Sequence, residues 1–254
     1  MRVNDWRGNE IDLVESNGGV LAFVNPWDGV VHGGVDPWPP PELAQKLYQS
    51  NHSGAFVGAA NIAATSFLGY YSDLQSMHSE DAVTWSLFGP IAYANSDVRA
   101  QFCAQLLESL GIARFVTNAR IWLWRRLPHP DTRVSGGPEI DFGIQTADTL
   151  ILGESKWRSG FGAGQGAKGD KDQIQLRVEY CVKHGADVFP HVNQFIVLAV
   201  GRGPNLLTEV HRASGGGKVL MHETTWEKLG ALTANPFAEE CRQYLAWRTK
   251  YSKQ

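Results

Sequence analysis

"GGPEIDFGIQTADTLILGESKW", Gly136 to Trp157, is the stretch of this 254-residue chain whose reading decides the fold. Two apolar runs of strand length, around "FGI" and "DTLIL", flank the polar turn "QTAD", which is the pattern of a β-hairpin. The same stretch carries Glu139, Asp141, Glu154 and Lys156. Strand interiors rarely hold such groups, because burying an unpaired charge costs several kcal/mol or forces its neutralisation. A turn centred between Thr146 and Ala147 sets residues whose numbers sum to about 293 opposite one another across the ladder. Glu139 is then expected to face Glu154, with Asp141 as its diagonal neighbour. The period of two projects Asp141, Glu154 and Lys156 from one face.

Carboxylates that converge without a matching cation repel one another. An oxygen-rich site of that kind suits a hard divalent ion, Mg²⁺ with Mn²⁺ as a substitute. The ion can activate water and stabilise charge on a phosphoryl oxygen, while a lysine two residues beyond a ligand reaches the attacking water or the developing charge. That is a phosphodiester-cleavage arrangement. The bland reading of the same residues is a solvated ladder of cross-strand ion pairs, common and worth little. The apolar runs leave little room for a solvated hairpin face.

Composition sets the outer bounds. With 43% hydrophobic and 19% charged residues, the chain is expected to fold as an ordinary globular protein. A formal charge of -3 provides no global basic field, so a polyanion would have to be held by a local patch or through cations. Cys103, Cys181 and Cys241 are odd in number and widely spaced, against both a disulfide framework and a structural zinc site. No run reaches the roughly 18 apolar residues of a membrane span, and the start "MRVNDWRGNE" lacks a signal-peptide core. A soluble, cytoplasmic protein with no membrane partner is expected.

Along the chain, residues 1–75 read as an irregular N-terminal elaboration, in which "ESNGGVLAFV" is a turn feeding a strand and "PPELAQKLYQS" a helix with Pro41 in its first turn. From Ser79, "SEDAVTWSLFGPIA" and "SDVRAQFCAQLLESLGI" predict two helices, the second stopping at Gly111. "ARFVTNARIWLWRRL" predicts a strand before the hairpin, "KDQIQLRVEYCVKHG" an amphipathic helix after it, and "NQFIVLAVG" a fully buried strand. "MHETTWEKLGAL" and "NPFAEECRQYLAWRTKY" predict closing helices. The order helix, three strands, helix, strand, helix implies an α/β fold whose central mixed sheet of four to five strands is flanked by helices, over residues 76–254.

At these residues the sequence resembles the PD-(D/E)XK nuclease superfamily, whose fold is restriction-endonuclease-like. "PEID" ends in Asp141 as the motif's acid and keeps Pro138 ahead of it, and "ESK" supplies Glu154, Ser155 and Lys156. The family's core runs helix, three strands, helix, strand, the order read above from Ser79. The resemblance implies that Asp141 and Glu154 bind Mg²⁺ with the backbone carbonyl of Ser155. It further implies that Lys156 is catalytic, that a Glu on the preceding helix, here Glu80, assists, and that a Gln on the following helix, here Gln175 with Gln173 close behind, supports the site. It also implies DNA as substrate, with a restriction or phage-defence role in which a homodimer or a partner subunit has a place.

Each assisting residue has a plainer role open to it. Glu80 in a first helical turn stabilises the helix dipole without chemistry, and Asp81 is its alternative as a ligand. Gln175 is equally readable as a solvated helix residue, and Glu139 as an outer ligand or a sheet-edge residue. Trp122, Trp124 and Trp157 read as core or rim packing. Arg125, Arg126, Lys156, Arg158, Lys168, Lys171 and Arg177 form a candidate phosphate-tracking rim, or a solvated face. "GQGAKG", Gly164 to Gly169, matches GxGxxG, but its loop is too long for a dinucleotide turn and Asp170 follows where a P-loop needs Lys. "HETTW" has Trp226 in place of a second zinc-binding His, and His32 in its Gly-rich loop reads as a loop residue. The expected function is metal-dependent hydrolysis of DNA, against the alternatives of a non-catalytic nucleic-acid-binding or scaffold module and of a dinucleotide enzyme.

Overall fold

The computed structural model describes residues 1–16, 19–51, 68, 70–158, 160–161 and 171–252. The "GQGAKG" loop, with Lys168, lies outside the described residues. In chain order the elements are β1 (Arg2–Asn4), β2 (Glu10–Glu15), β3 (Leu21–Phe23), α1 (Pro41–Lys46), α2 (Glu80–Ala92), α3 (Ser96–Ser109), β4 (Arg120–Pro128) and β5 (Ser135–Gln145). They continue as β6 (Thr149–Ser155), α4 (Gln173–Val188), β7 (Gln194–Gly201), α5 (Glu209–Ser214), β8 (Val219–Thr225), α6 (Trp226–Gly230) and α7 (Ala238–Tyr251). They divide into two compact units: Met1–Pro90 with Phe237–Gln254, and Ile91–Pro236. The expected division after residue 75 left α7 with the hairpin; the structure assigns it to the unit of the N-terminal residues.

The first unit is more regular than its Gly- and Pro-rich sequence suggests. β1, β2 and β3 form an antiparallel sheet in that order, and β2 alternates, exposed Glu10 and Asp12 being followed by buried Ile11 and Leu13 respectively. The strands are three to six residues long, too short for a period of two to stand out in the sequence. α7 is tied in by Arg248, which is fully buried. Its guanidinium donates to the carbonyls of Gly29 (3.0 Å), Ser76 (2.6 Å) and Ser79 (3.3 Å) and to the Tyr244 hydroxyl (2.8 Å). Burial pulls its pKa down from the usual arginine value.

The second unit is α/β, built on a mixed five-stranded sheet of order β4-β5-β6-β7-β8 flanked by helices. β4, β5 and β6 are antiparallel neighbours, and β6, β7 and β8 run parallel. Every residue of β6 is buried and only Gln194 of β7 is not, which is why both read as continuous apolar runs. α4 covers one face with a stripe of Ile174, Arg177, Val178, Cys181 and Gly185. "MHETTWEKLGAL" was expected to be one helix and is not. Val219 to Thr225 pair with β7 as the fifth strand, and the Thr225 side chain accepts the Lys228 N–H, so the helix cannot begin before Trp226. No helix among the described residues is long and apolar enough to cross a membrane.

The hairpin register corrects the expected one. Gln145 pairs with Leu150 and Phe142 with Gly153, and the Thr146 N–H bonds the Thr149 carbonyl at 2.9 Å, so the turn centres between Ala147 and Asp148. Asp148 causes this displacement by accepting the Thr146 and Thr149 hydroxyls. The numbers of paired residues now sum to about 295, a shift of two that leaves every side chain on its expected face. It does change the partners. Glu139 does not face Glu154 but pairs with Arg126 on β4, and Asp141 takes the position across from Glu154.

Gly153 shows how tightly this hairpin is packed: a Cβ there would stand 2.0 Å from the Phe142 ring. Gly153→Ala is therefore expected to cost about 1–3 kcal/mol. In a Phe142→Ala background the added methyl fills the vacated space, and the two changes should be non-additive by more than about 1 kcal/mol in urea unfolding. Strict additivity would mean that the ring does not lie on Gly153.

Candidate active site

The site grows from a fork in the sheet. β5 is registered with β4 as far as Ser135, but with β6 only down to Phe142, while β6 continues along β7 to Ser155 and Val200. At Asp141 the β5–β6 ladder has ended, and the Asp141 carboxylate takes its place. Its Oδ2 accepts the Ser155 N–H at 2.7 Å and the Ser155 hydroxyl at 2.9 Å. Because Phe142 and Gly153 share one face, their neighbours Asp141 and Glu154 share the other, on the side of α4.

Glu154 is fully buried. Its Oε2 accepts Arg177 Nη2 from α4 at 3.0 Å, and its Oε1 lies 3.3 Å from Lys156 Nζ in an ion pair that falls short of hydrogen-bond geometry. Lys156 is itself only 9% exposed. Burial, with the neighbouring charge of Asp141 added to it, lifts the Glu154 pKa to about 7; Arg177 and Lys156 pull the other way without cancelling the effect. The Lys156 backbone is fixed from both ends, its N–H on the Val200 carbonyl at 2.8 Å and its carbonyl on Trp226 Nε1 at 2.9 Å. Asp141, Glu154 and Lys156 are thus brought together as the sequence reading requires.

Gln175 has a different role. Gln175 is engaged in a capping box, accepting the Asp172 N–H at 3.0 Å while its own N–H bonds the Asp172 side chain at 2.9 Å. The α4 residue that reaches the acids is Arg177, expected as part of an exposed rim and found buried against Glu154. A signal for it existed: position 177 lies in the stripe of Ile174, Val178 and Cys181, so a side chain there faces the sheet. Glu80 opens α2 in the first unit, whereas the acid pair belongs to the second. Asp81, its alternative, pairs with Lys46 at 3.2 Å. Lys171 pairs with Glu179, and Arg126 lies 3.7 Å from Glu139. Trp157 is core, with the Arg202 guanidinium 4.9 Å from its ring centre. His32 stacks on Trp38 at 4.1 Å and its Nδ1 accepts the Gly34 N–H, a loop role.

Among the described residues no group of three or more His, Cys, Asp or Glu side chains is gathered for one ion. The donors available at the fork are the Asp141 and Glu154 carboxylates and the Ser155 carbonyl. A buried Glu154 Oε1 without a hydrogen bond, beside a second acid, fits a hard cation such as Mg²⁺ or Mn²⁺. No family model, no curated protein and no solved structure matches this chain.

The raised Glu154 pKa has a measurable consequence in protein freed of metal with EDTA. The folded state holds a proton that the unfolded chain releases near the ordinary value of 4.5, so this contribution to stability is full below 4.5 and is lost as pH rises through about 7. Wild type should lose stability relative to Glu154→Gln between pH 5 and pH 8 in denaturant titrations. Parallel profiles for the two proteins would show that Glu154 titrates as an ordinary carboxylate.

Proposed function

We propose that this chain is a metal-dependent nuclease that hydrolyses DNA phosphodiester bonds, an endonuclease in restriction or phage defence. One observation carries the reading: two carboxylates and an ammonium from adjoining strands meet at the fork, with Glu154 buried and Lys156 Nζ 3.3 Å from it. An ion bound by Asp141, Glu154 and the Ser155 carbonyl would supply Lewis acidity toward water and the phosphoryl oxygens. Asp141 is pre-positioned, since one oxygen is fixed by Ser155 while the other has no partner among the described residues. Arg177 fixes the orientation of Glu154. Lys156, held by its backbone on both sides, presents a cation to the attacking water or to the charge that develops on phosphate. DNA as the substrate follows from the resemblance to the nuclease superfamily.

A second reading has an observation in its favour. Glu154 already lies against two cations, so Asp141, Glu154, Lys156 and Arg177 also make sense as an internal ion cluster in a non-catalytic nucleic-acid-binding or scaffold module. Plasmid DNA with Mg²⁺ separates the two. Wild-type protein should nick or linearise it, EDTA should stop the reaction, and Asp141→Ala and Lys156→Ala should each lower the rate by about 10²–10³. Cleavage that survives both substitutions discards this site; DNA binding without cleavage establishes the scaffold reading.

A further inference from the structure

Four arginines of the second unit line one cleft, although the whole chain carries a formal charge of -3. A cleft of about 400 Å³ runs along β4, the edge strand of the sheet, and is lined by Arg99, Arg120, Arg125 and Arg126 together with Trp122 and Phe189. Among the described residues its lining contains no Asp or Glu. Two of the four guanidinium groups are held in place. Arg99 donates to the carbonyls of Ala94 and Ala119, and Arg126 donates to the Gly137 carbonyl at 3.4 Å and lies 3.7 Å from Glu139. Arg120 and Arg125 are exposed, and their guanidinium groups have no hydrogen bond or ion pair among the described residues.

The register connects this cleft to the acids. Leu123 pairs with Phe142 and Arg125 with Ile140, so Trp124 and Asp141 lie between the same two paired positions on adjoining strands. Trp124 has a φ of 50°, a left-handed conformation that a bulky residue rarely adopts and that is found disproportionately at functional sites. Arg120 and Arg125 are five residues apart on an extended strand, roughly 16 Å.

We propose that the β4 cleft is the track for the phosphodiester backbone, with Arg120 and Arg125 as the cations that take phosphates and lead the strand to Asp141. The inference rests on the nuclease reading and deepens it by naming where the substrate lies. Phosphate contacts of this kind set position without reading bases, so the track should accept any sequence. The guanidinium groups that are held act as a fixed positive wall, and the two without partners exchange counterions for phosphate when nucleic acid binds.

The test uses the full chain with Asp141→Ala, which keeps the substrate intact, and compares it with the same protein carrying Arg120→Ala and Arg125→Ala. Fluorescently labelled single-stranded and duplex DNA and the matching RNA are titrated from 50 to 200 mM salt. The double change should weaken binding tenfold or more at 100 mM salt. It should flatten the slope of log affinity against log salt by about 1.4 if the track takes a single strand and about 1.8 if it takes a duplex. Arg120→Lys with Arg125→Lys should keep most of the slope, which separates charge from folding, and far-UV circular dichroism checks the fold of each variant. If nucleic acid binds with slope and affinity unchanged by both pairs, the track is wrong while the nuclease reading stands. If the Asp141→Ala protein binds no nucleic acid and wild type cuts none, the nuclease reading fails, and the track with it.

Discussion

A carboxylate removed from water governs the second unit. Glu154 sits at zero exposure in the strand that is buried from end to end, and neither Arg177 nor Lys156 brings its pKa back to that of a solvated acid. Buried ion clusters are poor stabilisers, since apolar residues of similar volume commonly hold a core as well or better. Stability therefore gives no reason for four charged groups to meet beneath α4. The proposed divalent ion and anionic substrate would account for the acids and the cations together.

The sheet supplies the rigidity that the proposed chemistry would need. Asp141 is placed by a ladder that stops one residue short of it, and its carboxylate, bonded to Ser155, closes the fork that the backbone leaves open. Lys156 is clamped at both backbone ends, by Val200 and by Trp226. Trp226 stands where the sequence looks like a failed zinc-protease helix. Its real contribution is an indole N–H delivered to the site by the turn between β8 and α6.

In the first unit, Arg248 does comparable work in a different way. It is a buried cation whose two terminal nitrogens donate to carbonyls and a hydroxyl, and it fixes the approach to α2 just ahead of Glu80. Nothing local in "YLAWRTKY" distinguishes this arginine from the exposed cations of an ordinary last helical turn. α7 itself was legible from its periodicity, whereas its membership of the N-terminal unit was not, because contacts more than 150 residues apart in sequence define it.

Much of the candidate site was readable because it depends on local geometry. Alternation along a strand has a period of two, so Asp141 and Glu154 stay on one face even when the turn moves and the register slips by two. Helix starts at Ser79 and Pro41 and the stop at Gly111 were readable for the same reason, as caps and backbone preferences act within a turn. The sequence by itself thus determined the hairpin, the shared face and which three charged groups share it. Only tertiary structure decided that α4 turns Arg177 and not Gln175 toward Glu154, that β8 joins the sheet, and that four arginines from α3 and β4 line one cleft. Those outcomes depend on which distant surfaces meet, and pairing between segments far apart in the chain leaves no periodic trace in either of them.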